Sequence, residues 1–332
     1  MKPIKIAVIG GGTGMSILLK GFKKLPFDIS AIVSVCDDGK STGRLREEFN
    51  MPAVGDIRKV LISLSENEEI TEKLFDYRFD TTSDLNGHAL GNLLLTGAKE
   101  ITGNISDSIE MLNSFLKIKG KVIPLTEDNI TLMGLMEDGN IIEGEHNITE
   151  DKRTIKKVFY KETPETNKDV LKAIKNADAI VLSMGSLFTS IIPNLLCKEV
   201  IDEINKSKAK IIYVCNLMTQ PGETEKFSVS DHIKLINTYL DKRKVDAAVI
   251  NNGRISSKII KKYATAEQKD LVKIDYKNLN QLGITKLTDN YILIEDEKIR
   301  HNSIKVALNI LSYLLNKRWY HVIYQYNKRW NK

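Results

Sequence analysis

Short apolar runs alternate along the chain with amphipathic segments whose apolar residues recur every three or four positions. Runs of four to eight apolar residues predict buried strands, and the amphipathic segments predict helices. The predicted strands are 4–9, 29–36, 179–182, 210–215 and 245–250, and the predicted helices are 15–25, 56–64, 88–101, 190–207, 229–240 and 256–263. Strands separated by helices pair in parallel through right-handed crossovers. The pattern therefore predicts an α/β fold with a mostly parallel sheet.

Residues 120–161 interrupt this alternation. Four strand-like runs, 122–125, 131–136, 141–145 and 158–160, follow one another there. Asp138-Gly139 between two of them is a hairpin-turn signal. We therefore predict one domain over residues 1–315 with a small β-rich insertion at 120–161.

The composition is that of a soluble globular protein, with 332 residues, 42% hydrophobic and 28% charged. The apolar runs at 6–9 and 306–315 are too short for a signal-peptide core or a membrane span. We expect a cytoplasmic protein with no integral membrane segment. Cys36, Cys197 and Cys215 lie far apart without metal-ligand spacing, which predicts reduced thiols in the core.

The formal net charge of +6 comes mostly from the last seventeen residues, 316–332, which carry five basic and no acidic side chains. The rest of the chain is close to neutral, so its charge gives no support for nucleic-acid binding. The segment also contains Trp319 and Trp330. We interpret it as a basic aromatic tail with a solvated end, and contact with an anionic membrane surface or a partner is the alternative.

A glycine-rich segment, GGGTG at 10–14, follows the first predicted strand and opens a helix. Glycines let the backbone approach a phosphate, and the helix start supplies N–H donors. The dinucleotide pattern GxGxxG is not met because Met15 replaces the third glycine, and no Lys-Ser/Thr pair completes a P-loop. A tight turn without a ligand is the alternative. The predicted phosphate-binding residues are Gly11, Gly12, Thr13 and Gly14.

Asp37 and Asp38 follow the second predicted strand. An acidic residue at this place accepts ribose hydroxyls in many Rossmann-type domains. Two adjacent carboxylates also suit a divalent cation, and a helix cap is the third possibility. Ser41 and Arg44 in the same loop suit an anion.

Further polar candidates occur along the chain, most of them after predicted strands. Asp56 is a helix cap or a ligand contact, Arg58 a phosphate contact or a surface ion pair, and His88 an acid, a base, a ligand or a structural residue. The carboxyl ends of parallel strands meet at one edge of a sheet, where open α/β proteins bind ligands. We therefore add to the ligand-binding residues Asp56, Arg58, His88, Asn92, Gly185, Ser186, Asn216, Thr219, Gln220 and Arg300, the last placed at the start of the final helix.

Several long strings resemble one known family. They are IAVIGGGTGMSILLKGFK, DISAIVSVCDDGKSTGRLREEF, PAVGDIRKVLISLS, HALGNLLLTG, GSLFTSIIPNLL, CNLMTQPGET and IRHN, in this order from about residue 4 to 315. The chain resembles the YvcK/CofD family and, within it, the YvcK branch of gluconeogenesis factors. It departs from that branch at Lys40, which replaces a glycine, and at Ser183-Met184, which replaces Gly-Pro.

The resemblance implies a Rossmann-like three-layer sandwich that binds a nucleotide sugar, UDP-N-acetylglucosamine or UDP-glucose. It implies a regulatory factor that supports cell-wall synthesis and cell shape during gluconeogenic growth, with no required cofactor. An unknown protein partner in wall-precursor metabolism and a homo-oligomer, a dimer, are further implications. The glycines would contact phosphate, Asn216, Thr219 and Gln220 would line the pocket, and Arg300 would contact the diphosphate.

The alternative function is a Mg²⁺-dependent transferase of the 2-phospho-L-lactate transferase type. It would act on a nucleoside-diphosphate-linked substrate, with Asp37 and Asp38 holding the metal. A dinucleotide-dependent oxidoreductase is disfavoured by the missing third glycine.

Overall fold

The computed structural model describes residues 2–295 and 298–315, apart from the side chain of Lys40. The strands are β1 Ile4–Gly10, β2 Phe27–Val33, β3 Lys121–Pro124, β4 Leu132–Met136, β5 Ile141–Glu143, β6 Ile155–Tyr160, β7 Ala179–Leu182, β8 Lys210–Val214, β9 Ala247–Asn251, β10 Thr285–Asp289, β11 Ile292–Glu295 and β12 Lys298–His301. Seven of them form a parallel sheet in the order β10-β9-β8-β7-β1-β2-β3.

Helices connect these strands. They are α1 Gly12–Phe22, α2 Lys40–Phe49, α3 Gly55–Leu64, α4 Glu68–Phe75, α5 Leu90–Thr102, α6 Ile105–Leu116, α7 Glu145–Glu150, α8 Lys168–Asn176, α9 Ile192–Leu195, α10 Lys198–Lys206, α11 Val229–Tyr239, α12 Ser257–Ala266, α13 Tyr276–Gln281 and α14 Ser303–Leu314. A π-helical turn at Leu187–Ile191 precedes α9.

The two faces of the sheet carry separate hydrophobic cores. Successive side chains of a strand point to opposite faces, so Ile6 and Val8 pack with α1, α3, α5, α6 and α14, while Ala7 and Ile9 pack with helices α8 to α11. This arrangement confirms the predicted α/β three-layer fold. The cysteines are buried and free, as predicted, and burial raises the pKa of the Cys197 thiol to about 11.

The β-rich insertion is smaller than predicted. Strand β3 pairs with β2 in the main sheet, so the run at 122–125 does not belong to the insertion. The small antiparallel sheet has the order β5-β4-β6 and begins at Leu132. Asp138 and Gly139 lie in the turn between β4 and β5, where Gly139 has φ +87°. Helix α7 packs on this sheet through Ile148 next to Gly134.

The single helix predicted at 190–207 is three pieces. Pro193 lies in the first turn of α9, where its missing N–H is tolerated. A new helix, α10, then begins after Cys197. No helix among residues 2–295 and 298–315 is long and apolar enough to cross a membrane. The predicted tail at 316–332 lies outside the described residues.

Candidate functional site

The strand order changes direction at β1. The chain continues from β1 to β2 and β3 on one side, then returns to place β7 on the other side. The chain therefore leaves β1 and β7 toward opposite faces of the sheet, with α1 on one face and α9 on the other. Open α/β sheets bind ligands at such switch points.

A cleft of about 530 Å³ lies at this point. Its walls come from the loops after β1, β7 and β8, from the C-terminal end of α12 and from the hairpin β11-β12. Ten of the predicted site residues line it: Gly11, Gly12, Thr13, Gly14, Gly185, Ser186, Asn216, Thr219, Gln220 and Arg300. The fold therefore brings ten of the predicted residues to one surface, where they make up about half of the cleft lining, and their role as ligand contacts stays a prediction.

The glycine loop forms one side of the cleft. Gly12 begins α1 with φ +64°, a conformation that glycine adopts without steric cost. A methyl group on Gly14 would lie 2.5 Å from the carbonyl oxygen of Met184, so only glycine allows this approach of α1 to the loop after β7. Gly11 precedes α1 without a side-chain cap among the described residues. Asp56 accepts the N–H of Gly12, so the N–H groups that the start of α1 offers to the cleft are those that follow Gly12.

The opposite walls are fixed by polar side chains. Asn216 Nδ2 donates to the Gly185 carbonyl oxygen at 3.0 Å, and Thr219 Oγ1 accepts from the Asp270 N–H at 3.0 Å. Ser186 Oγ donates to Glu223 Oε2 at 2.6 Å. Burial raises the pKa of Glu223, and the Ser186 hydroxyl opposes that rise. These residues hold the shape of the cleft.

Basic side chains give the cleft positive charge. Lys269, Lys298 and Arg300 line it, with Glu267 as the acidic neighbour of Lys269 at 2.8 Å. Arg300 lies on β12 opposite Leu293, and not at the start of the final helix as predicted. Its guanidinium makes no hydrogen bond or ion pair within residues 2–295 and 298–315. An unpaired guanidinium facing a helix start suits a phosphate or a diphosphate.

One carboxyl group, that of Asp56, lies beside the glycine loop, and the charges of Asp37 and Glu145 act near it. A methyl group on Gly11 would lie 2.5 Å from Asp56 Oδ2. Burial raises the pKa of Asp56, and Lys59 at 3.1 Å opposes the rise while Asp37 adds to it. Burial, and next the charge of Asp37, raises the pKa of Glu145 to about 8. Glu145 reaches this place from the start of α7.

Asp37 and Asp38 do not point to one place. Asp38 Oδ1 accepts the backbone N–H of His146 at 2.7 Å, whereas the charge of Asp37 acts on Asp56 and Glu145. Among the residues that the structure describes, no three His, Cys, Asp or Glu side chains are grouped to hold a metal ion. Mg²⁺ needs only one or two protein carboxylates when a substrate phosphate supplies further oxygens. Asp38 is engaged by the His146 backbone, and the charge of Asp37 raises the pKa of Asp56, so Asp37 and Asp56 are the alternative pair to consider for such an ion.

Four other predicted residues form a second polar cluster, which we call the α2–α5 cluster: Ser41, Arg58, His88 and Asn92. None of them lines the cleft. Ser41 Oγ lies 3.2 Å from His88 Nδ1 and 3.2 Å from Asn92 Nδ2. Arg44, also predicted as a ligand contact, is exposed on α2.

Sequence reasoning missed the buried Glu223, the partly buried Glu145 and the two lysines of the cleft. Glu223 occurs in the string CNLMTQPGET, which is one of the strings that carry the family resemblance. Glu145 follows a short strand and has no local motif. Lys269 and Lys298 are ordinary surface cations in sequence and join the cleft only through the fold.

The fold and this cleft place the chain among the α/β proteins with an open, parallel sheet. The family model described as 2-phospho-L-lactate transferase CofD matches residues 6–292. The chain belongs to this family, as the sequence predicted, and its curated relatives are of the YvcK branch.

The relatives cover nearly the whole chain. A gluconeogenesis factor of Halalkalibacterium halodurans is 43% identical over 314 residues, which are 94% of this chain and 97% of that protein. A gluconeogenesis factor of Bacillus subtilis is 41% identical over 306 residues, 91% of this chain and 96% of that protein. A crystal structure of a UPF0052 family member from Bacillus halodurans superposes with a TM-score of 0.89 at 42% identity, covering 93% of this chain and 99% of that one.

Proposed function

We propose that this chain is a cytoplasmic regulatory factor that binds a UDP-sugar, UDP-N-acetylglucosamine or UDP-glucose, in the cleft. The observation that carries the proposal is the Arg300 guanidinium, which has no partner among residues 2–295 and 298–315 and lines the same cleft as the start of α1 at Gly12. Backbone N–H groups of a helix start and a guanidinium fork are complementary to the oxygens of a diphosphate. Lys269 and Lys298 add positive charge around the same space.

The biological role comes to the proposal from the relatives, which are named gluconeogenesis factors. In this role the chain senses the supply of a wall precursor and acts on a protein partner, supporting wall synthesis and cell shape during gluconeogenic growth. Binding without turnover is sufficient, so no cofactor is required. We expect the chain to act as a homodimer.

A Mg²⁺-dependent transferase is the second candidate. The name of the family model and the carboxyl groups of Asp37 and Asp56 beside the glycine loop favour it. A metal there would neutralise charge on the leaving phosphate. This chain's own residues would bind the diphosphate through α1 and Arg300 and orient the metal through the two aspartates.

Calorimetric titration separates the two functions. The purified chain is titrated with UDP-N-acetylglucosamine, UDP-glucose, GDP and NAD⁺, with and without Mg²⁺, and each mixture is then analysed for product. UDP-sugar binding without product supports the regulatory factor. Binding that needs Mg²⁺ and releases a nucleoside monophosphate, given an acceptor, supports the transferase. Binding of NAD⁺ alone refutes both.

Arg300→Ala tests whether Arg300 contacts the diphosphate of the UDP-sugar. We expect UDP-sugar binding to weaken by roughly 1.5–3 kcal/mol, the range for a charge-assisted hydrogen bond. Arg153→Ala is the matched control, because Arg153 lies in the loop before β6, lines no part of the cleft and pairs with Asp138 and Asp151 at the surface. Equal affinities in the two variants would remove Arg300 from the site.

A further inference from the structure

A second cavity, which we call the side chamber, adjoins the cleft. Its volume is about 480 Å³, close to the 530 Å³ of the cleft itself. Gln220, Glu267 and Lys269 line both spaces. The walls of the side chamber come from α7 and the loop after it, from the loop after β8 and from the end of α12. A ligand in the cleft can therefore extend into it.

The lining of the side chamber is polar. Nine of its eleven lining residues carry a hydrogen-bonding side chain, and the exceptions are Pro221 and Ala266. Most small-molecule sites are instead lined by apolar and aromatic side chains. Amide, carboxylate and hydroxyl groups supply both the donors and the acceptors that a ligand covered with hydroxyl groups needs. The side chamber therefore suits a sugar.

Two side chains beside the cleft keep hydrogen-bonding capacity for such a ligand. Glu223 is 4% exposed, and its Oε2 accepts from Ser186 Oγ at 2.6 Å and from the Phe188 N–H at 3.3 Å. Its Oε1 has no hydrogen-bond partner among residues 2–295 and 298–315. The half-buried side chain of Gln220 has none within these residues either. Polar groups with little access to water are rarely left without partners, and a ligand can supply them.

The two spaces differ in charge. The cleft has three basic residues and one acidic residue. Burial lowers the pKa of His301 to about 4, so this residue adds no charge to the cleft at neutral pH. The side chamber has two basic and three acidic residues. Burial raises the pKa of one of them, Glu223, so the net charge of the side chamber is zero or negative. A diphosphate is therefore favoured in the cleft, and an uncharged group in the side chamber.

A third space borders the cleft at Asn216 and Leu217 and has a different lining. It measures about 300 Å³, and seven of its twelve lining residues are apolar. A flat base suits this lining better than a group covered with hydroxyls does. Of the two spaces that adjoin the cleft, the side chamber is thus the one that matches a sugar.

We propose that the side chamber binds the sugar of the nucleotide sugar and determines which sugars are accepted. This inference rests on the proposed function of the cleft. Gln220 and Glu223 Oε1 contact the sugar hydroxyls next to the diphosphate. Glu150 and Lys152 line the side chamber and not the cleft, and neither has an ion pair within the part of the chain that the structure describes. The insertion that carries these two residues therefore contributes to sugar specificity.

Calorimetric titration of the full chain with UDP, UDP-glucose and UDP-N-acetylglucosamine tests the proposal, because UDP lacks the sugar. Ala266→Trp introduces a large side chain at an exposed position that lines the side chamber and not the cleft. We expect it to weaken the binding of both UDP-sugars by at least about tenfold and to change the affinity for UDP by less than about threefold. Ala264→Trp is the control, because Ala264 is exposed on the same helix and lines neither space.

The double substitution Glu150→Ala and Lys152→Ala tests the same wall without added bulk. It removes one charge of each sign, so the net charge that acts on the diphosphate is unchanged. We expect it to weaken UDP-sugar binding by at least about threefold and to leave the affinity for UDP within about twofold. Circular dichroism checks that each variant is folded.

Two results would overturn the proposal while leaving the function of the cleft in place. One is an unchanged UDP-sugar affinity in both the Ala266 variant and the double variant. The other is an equal loss of UDP and UDP-sugar binding, which would place part of UDP itself in the side chamber. A native chain that binds neither UDP nor a UDP-sugar would instead refute the proposed function, and the assignment of the sugar with it.

Discussion

Glu145→Gln tests whether a partly buried carboxyl group at the start of α7 makes the stability of the fold depend on pH. The pKa of Glu145 is raised from 4.5 to about 8, chiefly by burial and next by the charge of Asp37. Its Oε1 accepts from Thr149 Oγ1 at 3.1 Å, a bond that the amide oxygen of Gln preserves. The substitution thus removes the titration with little change in shape.

The sign follows from proton binding. Between pH 4.5 and about 8 the folded chain keeps the Glu145 proton that the unfolded chain releases. The free energy of unfolding therefore falls as pH rises through this window. The full interval, at 1.36 kcal/mol per pH unit, sets an upper limit of about 4–5 kcal/mol. Because the side chain is only partly buried, we expect about 2–4 kcal/mol.

Urea unfolding at pH 5, 6.5 and 8 provides the measurement. The Gln variant should match the native chain in stability near pH 5 and exceed it by about 2–4 kcal/mol at pH 8. Glu143→Gln is the control, since Glu143 lies on the small sheet and pairs at the surface with Lys161. A pH dependence that is the same in the native chain and in both variants would refute the reasoning.

Two further substitutions test the site. Gly14→Ala places a methyl group 2.5 Å from the Met184 carbonyl oxygen, so calorimetry should show UDP-sugar affinity at least about tenfold lower. The control is Gly97→Ala, whose methyl group meets open space on α5. It should leave the UDP-sugar affinity unchanged and raise the free energy of unfolding by about 0.5–1 kcal/mol. Arg44→Gln removes an exposed cation that lines no part of the cleft, and we expect unchanged UDP-sugar affinity; a tenfold loss would return Arg44 to the site.

The sequence predicted the central strands because they are buried on both faces. Strands such as β1 and β7 are continuous apolar runs, which is the pattern of a parallel sheet covered on both faces. β10 lies at the edge of the sheet with mixed residues, and β11 is mostly exposed. Neither shows a clear apolar period. Consequently the hairpin that carries Arg300 was not predicted, and Arg300 was assigned to a helix start.

The positions after the strands were predictable, but their division into two groups was not. All of these loops lie toward the same edge of the sheet, so their spacing in the sequence does not distinguish one group from the other. The order of the strands places the loops after β1, β7 and β8 around the cleft. Ser41 and Asn92, which lie on α2 and α5, are outside the cleft. The contact of His146 with Asp38 joins residues 108 positions apart, for which no local pattern exists.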